Sequence, residues 1–221
     1  HAATPDDEVR EALRRALDEG YRLDEVELVT TDRDSYGLAL DALEHQAGIA
    51  ATSLHGVPFA RARLGRALHR WLAWLHDDLP ADSLRAAFEA GEYALPDGID
   101  GVALSRLLRQ LPLGDGREGM ERAIGALSGS LLEPRLKSRL GILLRSVSFA
   151  GDDHSTTSVP SLARAITAWL ELAARGGHAE ARAVERLQQR LDALAELDPE
   201  PLPLAEAIAR IGTGLADLRA W

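Results

Sequence analysis

The chain has 221 residues, of which 25 are Lys or Arg and 35 are Asp or Glu, so its formal net charge is −10 with histidine neutral. It contains no cysteine, which excludes disulfide scaffolds, thiolate zinc sites, iron–sulfur clusters and a cysteine nucleophile. The acidic balance argues against a general nucleic-acid coat. No apolar run approaches the roughly 20 residues that a membrane helix needs, and no signal peptide opens the chain. We therefore expect a cytoplasmic protein without membrane contacts.

The first fifty residues predict an α/β arrangement. Capped helices are expected over residues 5–20 and 32–48. The β-branched, alternating residues 26–31 predict a strand, and residues 49–54 predict a second, short one. Helix, strand, helix and strand in this order are typical of a parallel α/β unit. Because two parallel strands do not make an independent sheet, further strands are expected from outside this chain or from another subunit.

The remainder of the chain is predicted to be helical. Apolar residues recur at helical spacing after Pro58, with turns rich in Gly and Pro between the helices. The expected fold class is mostly α, with a small N-terminal parallel α/β corner of two strands followed by a multi-helix array. The predicted helices lie at about 59–76, 80–92, 104–111, 118–128, 131–147, 160–174, 179–197 and 204–218.

Two motifs match known sites only by letter, and a third stretch contains ligand-type side chains. Residues 114–119 read GDGREG, but no predicted strand precedes them, so the dinucleotide-binding context fails. Residues 178–180 match the H-x-E of zinc deaminases, whose remaining ligands are cysteines. Asp152, Asp153 and His154 could hold a divalent ion in a loop, although a solvated linker is the ordinary interpretation. We predict no catalytic residues, no metal ligands and no cofactor.

Arginines concentrate on the helix after Pro58. Arg63, Arg66 and Arg70 are spaced i, i+3 and i+7 and share one face, and Arg61 precedes them. Such a face can contact phosphates, which position a nucleic acid without reading its bases. The alternative is a solvated face paired with neighbouring acids. The sequence therefore offers these four arginines as candidate nucleic-acid contacts.

Seven short stretches in the first half of the chain carry a family resemblance. They are DEVR at 7–10, LDEVELVT at 23–30, DSY at 34–36, AGI at 47–49, GVPF at 56–59, LGRAL at 64–68 and LPADSL at 79–84. Their order, over about residues 6–92, resembles the entry into the second RecA-like domain of UvrD-type superfamily 1 helicases. It is more similar still to the helicase-like, nuclease-fused AddB/RexB proteins and their PD-(D/E)xK-superfamily relatives.

The resemblance implies three segments. Residues 1–58 would be a partial RecA-like α/β segment, residues 59–148 the first part of a helical insertion, and residues 149–221 its second part after a polar linker. It implies a non-catalytic fragment of a bacterial DNA repair or recombination protein, with an ATP-dependent helicase or exonuclease as the parent. The fragment would scaffold contacts with DNA or with a helicase or nuclease partner subunit.

The resemblance also suggests one DNA-contacting turn. In helicase relatives the inserted helical subdomain carries a Gly-Ile-Gly turn that touches duplex DNA. Gly98, Ile99 and Gly101 stand roughly where that turn would lie, with Asp100 between them. These three residues join the arginines as candidate nucleic-acid contacts.

Two other functions stay open. The chain could be a stand-alone helical protein–protein interaction module that dimerises through its strand edge or through the helix bearing Trp71 and Trp74. It could also be a small enzyme built around residues 152–154. An obligate dimer would favour the module, whereas a monomer would favour the fragment.

Overall fold

The computed structural model describes residues 4–49, 51, 56–95, 98–111, 114–129, 132–147, 156–174, 178–197 and 199–220. Within these ranges the chain forms ten α-helices and four two-residue strands, so the mostly α fold is confirmed. The helices are α1 (Pro5–Asp18), α2 (Arg33–Ala47), α3 (Arg63–His76), α4 (Ala81–Glu89), α5 (Gly101–Leu108), α6 (Gly116–Gly129), α7 (Pro134–Ser146), α8 (Val159–Ala173), α9 (His178–Ala195) and α10 (Leu204–Leu215). The strands are β1 (Val57–Pro58), β2 (Thr156–Thr157), β3 (Leu202–Pro203) and β4 (Arg219–Ala220).

Side-chain caps fix the beginning of five helices. Each cap accepts a hydrogen bond from a backbone N–H two or three residues further on, at 3.1–3.2 Å, and the caps are Thr4, Asp32, Asp100, Glu133 and Ser158. Each cap satisfies one of the N–H groups that a helix leaves unpaired in its first turn. The first turn of α1 also carries three acidic residues, which complement the helix dipole.

The predicted N-terminal pair of parallel strands is wrong. Residues Leu23–Glu25 form a 3-10 turn, and residues 26–31 follow it without joining a ladder. Most of the second predicted strand, residues 49–54, lies outside the described residues, and Ile49 and Ala51 are not in a strand. A strand is held by the partner to which it hydrogen-bonds, and the described part of the chain supplies none to residues 26–31.

The strands that do form are antiparallel and very short. β1 pairs with β4, so that Val57 lies opposite Ala220, and β2 pairs with β3, so that Thr156 lies opposite Pro203. The first pair joins the chain just before α3 to the chain just after α10. Each pair therefore joins two segments that are far apart along the chain.

Two apolar clusters form the interior. A small one lies between α1 and α2 and is built from Val9, Leu13, Ala39 and Leu43. The large one contains buried residues from Val57 to Leu215, with side chains of α3, α8, α9 and α10 among its members. It draws on both sides of the polar stretch predicted as a linker near residue 149. The division into three segments stays a prediction. Among the described residues, the buried members of the small cluster precede residue 57, and those of the large cluster begin at Val57.

Gly65 lies where the 3-10 turn Phe59–Arg61 packs on the first turn of α3. A Cβ atom placed on it would lie 1.7 Å from the carbonyl oxygen of Phe59, well inside van der Waals contact. We expect Gly65→Ala to lower the free energy of unfolding by about 1–3 kcal/mol, measured by urea denaturation. Gly125→Ala is the control, since a Cβ on this helical residue meets nothing within 4 Å. It is expected to gain about 0.5–1 kcal/mol, and equal effects of the two substitutions would contradict this packing.

Candidate functional site

The four predicted arginine contacts fall into two environments. Arg61, Arg66 and Arg70 are exposed, whereas Arg63 is only 7% exposed. Arg63, Arg66 and Arg70 lie on α3, and Arg61 ends the 3-10 turn before it. The single face that the spacing predicts is therefore divided between the interior and the surface.

Arg63 joins α3 to the ends of two other helices. Its Nε donates to Glu180 Oε1 at 2.9 Å, and its Nη2 also binds that oxygen. Its Nη1 donates to the carbonyl of Glu92 at 2.6 Å, and Nη2 donates to the carbonyl of Ala173 at 2.8 Å. These acceptors engage all three guanidinium nitrogens, so this arginine holds the helices together instead of facing solvent.

A second acid organises the remainder of the face. Arg70 Nη1 lies 2.7 Å from Glu92 Oε1, and the Glu92 side chain is buried. Its other oxygen, Oε2, has no hydrogen-bond partner among the described atoms. Burial raises the pKa of Glu92, while the charges of Arg70, Arg66 and Arg63 act in the opposite direction. The arginine face thus surrounds a buried carboxyl group.

The exposed pair Arg61 and Arg66 is the part of the face that solvent reaches. The guanidinium of Arg66 donates to the backbone carbonyl of Arg61, which brings the two residues together. Among the four predicted contacts, these two carry exposed guanidinium groups without the ion pair to Glu92 that Arg70 makes. They are the arginines of this face that a phosphate could reach most easily.

The predicted Gly-Ile-Gly turn has local structural reasons for its sequence. Gly98 adopts a φ of 82°, which favours glycine, and Ile99 packs partly buried against the large cluster. Gly101 begins α5, where a Cβ would lie 2.2 Å from the carbonyl oxygen of Phe88. Asp100 caps the same helix. These contacts explain the residue types, and the DNA contact of the turn stays a prediction.

The other motifs are distributed as follows. In the GDGREG stretch, α6 begins at Gly116, and a Cβ on Gly119 would lie 2.2 Å from the carbonyl oxygen of Gly114. Glu180 lies in the first turn of α9 and binds Arg63. Asp152, Asp153 and His154 lie outside the described residues. Within the described ranges, no group of three or more His, Cys, Asp or Glu residues is placed to hold a metal ion.

Sequence reasoning missed the two acids that complete this site. Glu180 is 117 residues from Arg63 along the chain, and no periodic pattern connects positions so far apart. Glu92 follows α4 in a segment that the pattern describes only as the end of a helix. A buried arginine needs acidic and carbonyl partners, so an unusually apolar neighbourhood, such as Leu64, Ala67 and Leu68, was the available signal.

The raised pKa of Glu92 predicts a pH-dependent stability difference. Above the ordinary carboxyl value of 4.5 and below its raised value, the folded state binds this proton more tightly than the unfolded state. Stability from this group therefore falls as pH rises through that window. Glu92→Gln removes the titration, so its free energy of unfolding relative to the parent protein is expected to increase from pH 4.5 towards neutrality.

Urea denaturation at a series of pH values measures this difference. Glu196→Gln, at an exposed position after α9, is the control and is expected to change stability by less than about 0.5 kcal/mol at either end of the range. A Glu92→Gln difference that stays constant with pH would contradict the effect of burial on this carboxyl group.

Comparison with protein-family models, with curated proteins and with solved structures found no match to this chain. Among the described helices, none combines the length and the apolar character needed to cross a membrane. The geometry of the arginine face is therefore the basis for its proposed role.

Proposed function

We propose that this chain is a non-catalytic part of a bacterial, cytoplasmic DNA repair or recombination protein of the helicase–nuclease type, and that it contributes protein contacts. The resemblance of residues 6–92 supports the lineage. The location of exposed apolar side chains supports the role in protein contacts. Partner-subunit contacts are favoured over DNA contacts because Arg63 and Arg70 are paired within the protein.

One observation carries this proposal. Of the eight large apolar side chains that are exposed among the described residues, five lie between positions 17 and 29. A concentration of exposed apolar side chains in one short stretch of a globular protein favours an interaction site there. The exposed apolar residues of this N-terminal stretch are Leu17, Tyr21, Leu23, Leu28 and Val29.

Survival of the source bacterium after mitomycin C treatment tests the proposal in the intact protein. Deletion of the gene is expected to reduce survival. The variant Leu17→Ser with Tyr21→Ser is expected to reduce it towards the deletion strain at unchanged protein level. Leu107→Ser is the control, because Leu107 is a similarly exposed leucine on α5. Full resistance of the deletion strain would overturn the repair function, and full resistance of the double variant would overturn the contact role.

DNA contact is the second candidate function, and the exposed pair Arg61 and Arg66 favours it. Each phosphate contact adds about −0.9 to the log–log slope of affinity against salt on duplex DNA, so two contacts give about −1.8. We expect this slope from a titration of the whole chain at several salt concentrations. Arg61→Gln with Arg66→Gln is expected to abolish it. Arg70→Gln is the comparison variant and should change it least, because Arg70 is paired with Glu92. A flat response of the parent chain would contradict DNA contact.

Dimerisation is the remaining alternative. The indoles of Trp71 and Trp74 are buried in the large cluster, so they do not support a dimer interface through these two side chains. Light scattering at micromolar concentration is expected to give a monomer. A stable, concentration-independent dimer would favour the stand-alone module instead.

A further inference from the structure

Residues 26–31, between α1 and α2, have no ladder partner among the described residues. Val26 has extended backbone angles, with φ −98° and ψ 124°, and the next four residues are outside helix, turn and ladder. Val26 packs against the small apolar cluster and Thr30 is half-buried. Between them Val29 is 89% exposed, the largest exposure among the described large apolar side chains. In an extended chain Leu28 shares the face of Val26 and Thr30, and it is 38% exposed, so the helices cover this face only in part and the face of Val29 is open.

The backbone at the middle of this segment has no partner among the described residues. Within the described residues, no backbone hydrogen bond involves the N–H or C=O groups of Glu27, Leu28 or Val29. Unpaired donors and acceptors beside exposed apolar side chains are a template for the addition of another extended chain. A helix laid on the same place would cover the side chains and leave these backbone groups unpaired. The segment therefore favours a partner that is itself extended.

The charge of the segment indicates the charge of a suitable partner. Residues 22–34 contain five acids and two arginines, which leaves a net charge of −3 on this short stretch. Asp24, Glu25 and Glu27 are exposed, and Arg22 is already engaged with Asp24. A second copy of the chain would bring like charges into opposition, which destabilises a strand pair. A partner with basic residues opposite Glu27 and an apolar residue opposite Val29 would satisfy both features.

We propose that residues 26–31 are a docking edge for an extended, basic segment of another polypeptide, which adds to them as a β-strand. The inference rests on the proposed role in protein contacts and specifies its partner. Main-chain hydrogen bonds would supply the affinity, and cross-strand pairs at Glu27 and Val29 would supply the preference. Pairing would also cover Val29, which no described residue covers now.

A synthetic peptide tests the docking edge on the full chain. The probe is Thr-Lys-Val-Val-Val-Lys-Thr, with blocked ends and a fluorophore, which places Lys, Val and Lys on one face in either strand direction. Fluorescence anisotropy is expected to show saturable binding, and a probe with Glu in place of Lys is expected to bind more weakly. Hydrogen exchange is expected to be fast at Leu28 and Val29 in the free chain and to slow at alternate amides of the segment when the probe binds.

Variants separate backbone pairing from simple attraction of charge. Alternate N–H groups point to opposite edges of a strand, so one of Leu28→Pro and Val29→Pro removes a donor from the paired edge. That variant is expected to weaken binding about tenfold, while Val29→Thr, which keeps its N–H and loses only apolar contact, is expected to weaken it less. Glu27→Lys is expected to reverse the preference between the two probes. Circular dichroism of each variant checks that the helices are retained.

Several outcomes would overturn the proposal. They are slow exchange at Leu28 and Val29 before any probe is added, binding that neither proline variant weakens, unchanged probe preference in Glu27→Lys, and self-association through this segment in place of probe binding. Failure here leaves the survival test of the proposed function unaffected. Normal survival of the deletion strain, conversely, would remove the repair function without affecting probe binding.

Discussion

Replacement of Arg63 with methionine is expected to destabilise the protein by about 3–5 kcal/mol, because it removes a buried guanidinium whose ion pair and hydrogen bonds join α3 to the ends of α8 and α9. Arg63 is 7% exposed, and Glu180, which it binds, is also mostly buried. The carbonyl groups of Glu92 and Ala173 lose a donor in the same variant. Urea denaturation followed by far-UV circular dichroism measures the loss.

Three further variants make the result specific. Arg66→Met, on the exposed side of the same helix, is expected to change stability by less than about 0.5 kcal/mol. Arg63→Lys keeps the charge but cannot reach all the acceptors of a planar guanidinium, so an intermediate loss is expected. Arg63→Met with Glu180→Leu is expected to recover part of the loss, because it also removes the carboxylate that Arg63 binds. A single Arg63→Met loss below about 1 kcal/mol would contradict the network.

The helices were predictable because their signals are local. Thr4 with Pro5, and Ser158 with Pro160, mark the beginnings of α1 and α8, and the structure has helices there. The N-terminal strands were not predictable in the same way. Residues 26–31 have the composition of a strand, but a strand depends on a partner that composition does not specify. The prediction of parallel pairing assumed such a partner, and the described residues supply none.

The arginine face shows the same limit at the candidate site. Helical spacing correctly groups Arg63, Arg66 and Arg70, since all three act on the buried Glu92 carboxyl. Spacing does not indicate which end of the face enters the core. That depends on how α9 packs, because α9 brings Glu180 to Arg63 from 117 residues away. A pattern within one helix therefore predicted a shared face, and tertiary contacts assigned its members different environments.

Helices α1 and α2, with the segment between them, show the same dependence on a partner. The small cluster of four buried residues holds α1 to α2, while Leu28 and Val29 stay exposed beside it. Val26 and Thr30 are half-buried, whereas Glu27, Leu28 and Val29 between them are exposed. A segment with strand-like side chains and an unpaired backbone gains stability when a ladder is supplied. The erroneous strand prediction and the proposed docking edge thus arise from the same residues.

Within the apolar core, we expect the largest loss of stability from replacement of Trp169. Its side chain is 0% exposed, and its ring centroid lies 5.7 Å from that of Trp71 with the planes inclined by 32°. The contact joins α8 to α3, the helices that Arg63 also links through the carbonyl of Ala173. Trp169→Ala is expected to lower the free energy of unfolding by about 3–5 kcal/mol, because it removes a large buried ring and leaves a cavity.

Equilibrium urea denaturation checks this value against two matched variants. Trp169→Phe retains an aromatic ring against Trp71 and is expected to lose less than the alanine variant. Leu107→Ala removes an exposed apolar side chain on α5 and is expected to stay within about 0.5 kcal/mol of the parent. If Trp169→Ala were no more costly than Leu107→Ala, the central packing of α8 on α3 would be wrong. The assignment of Arg63 to a buried bridge between these helices would then fail with it.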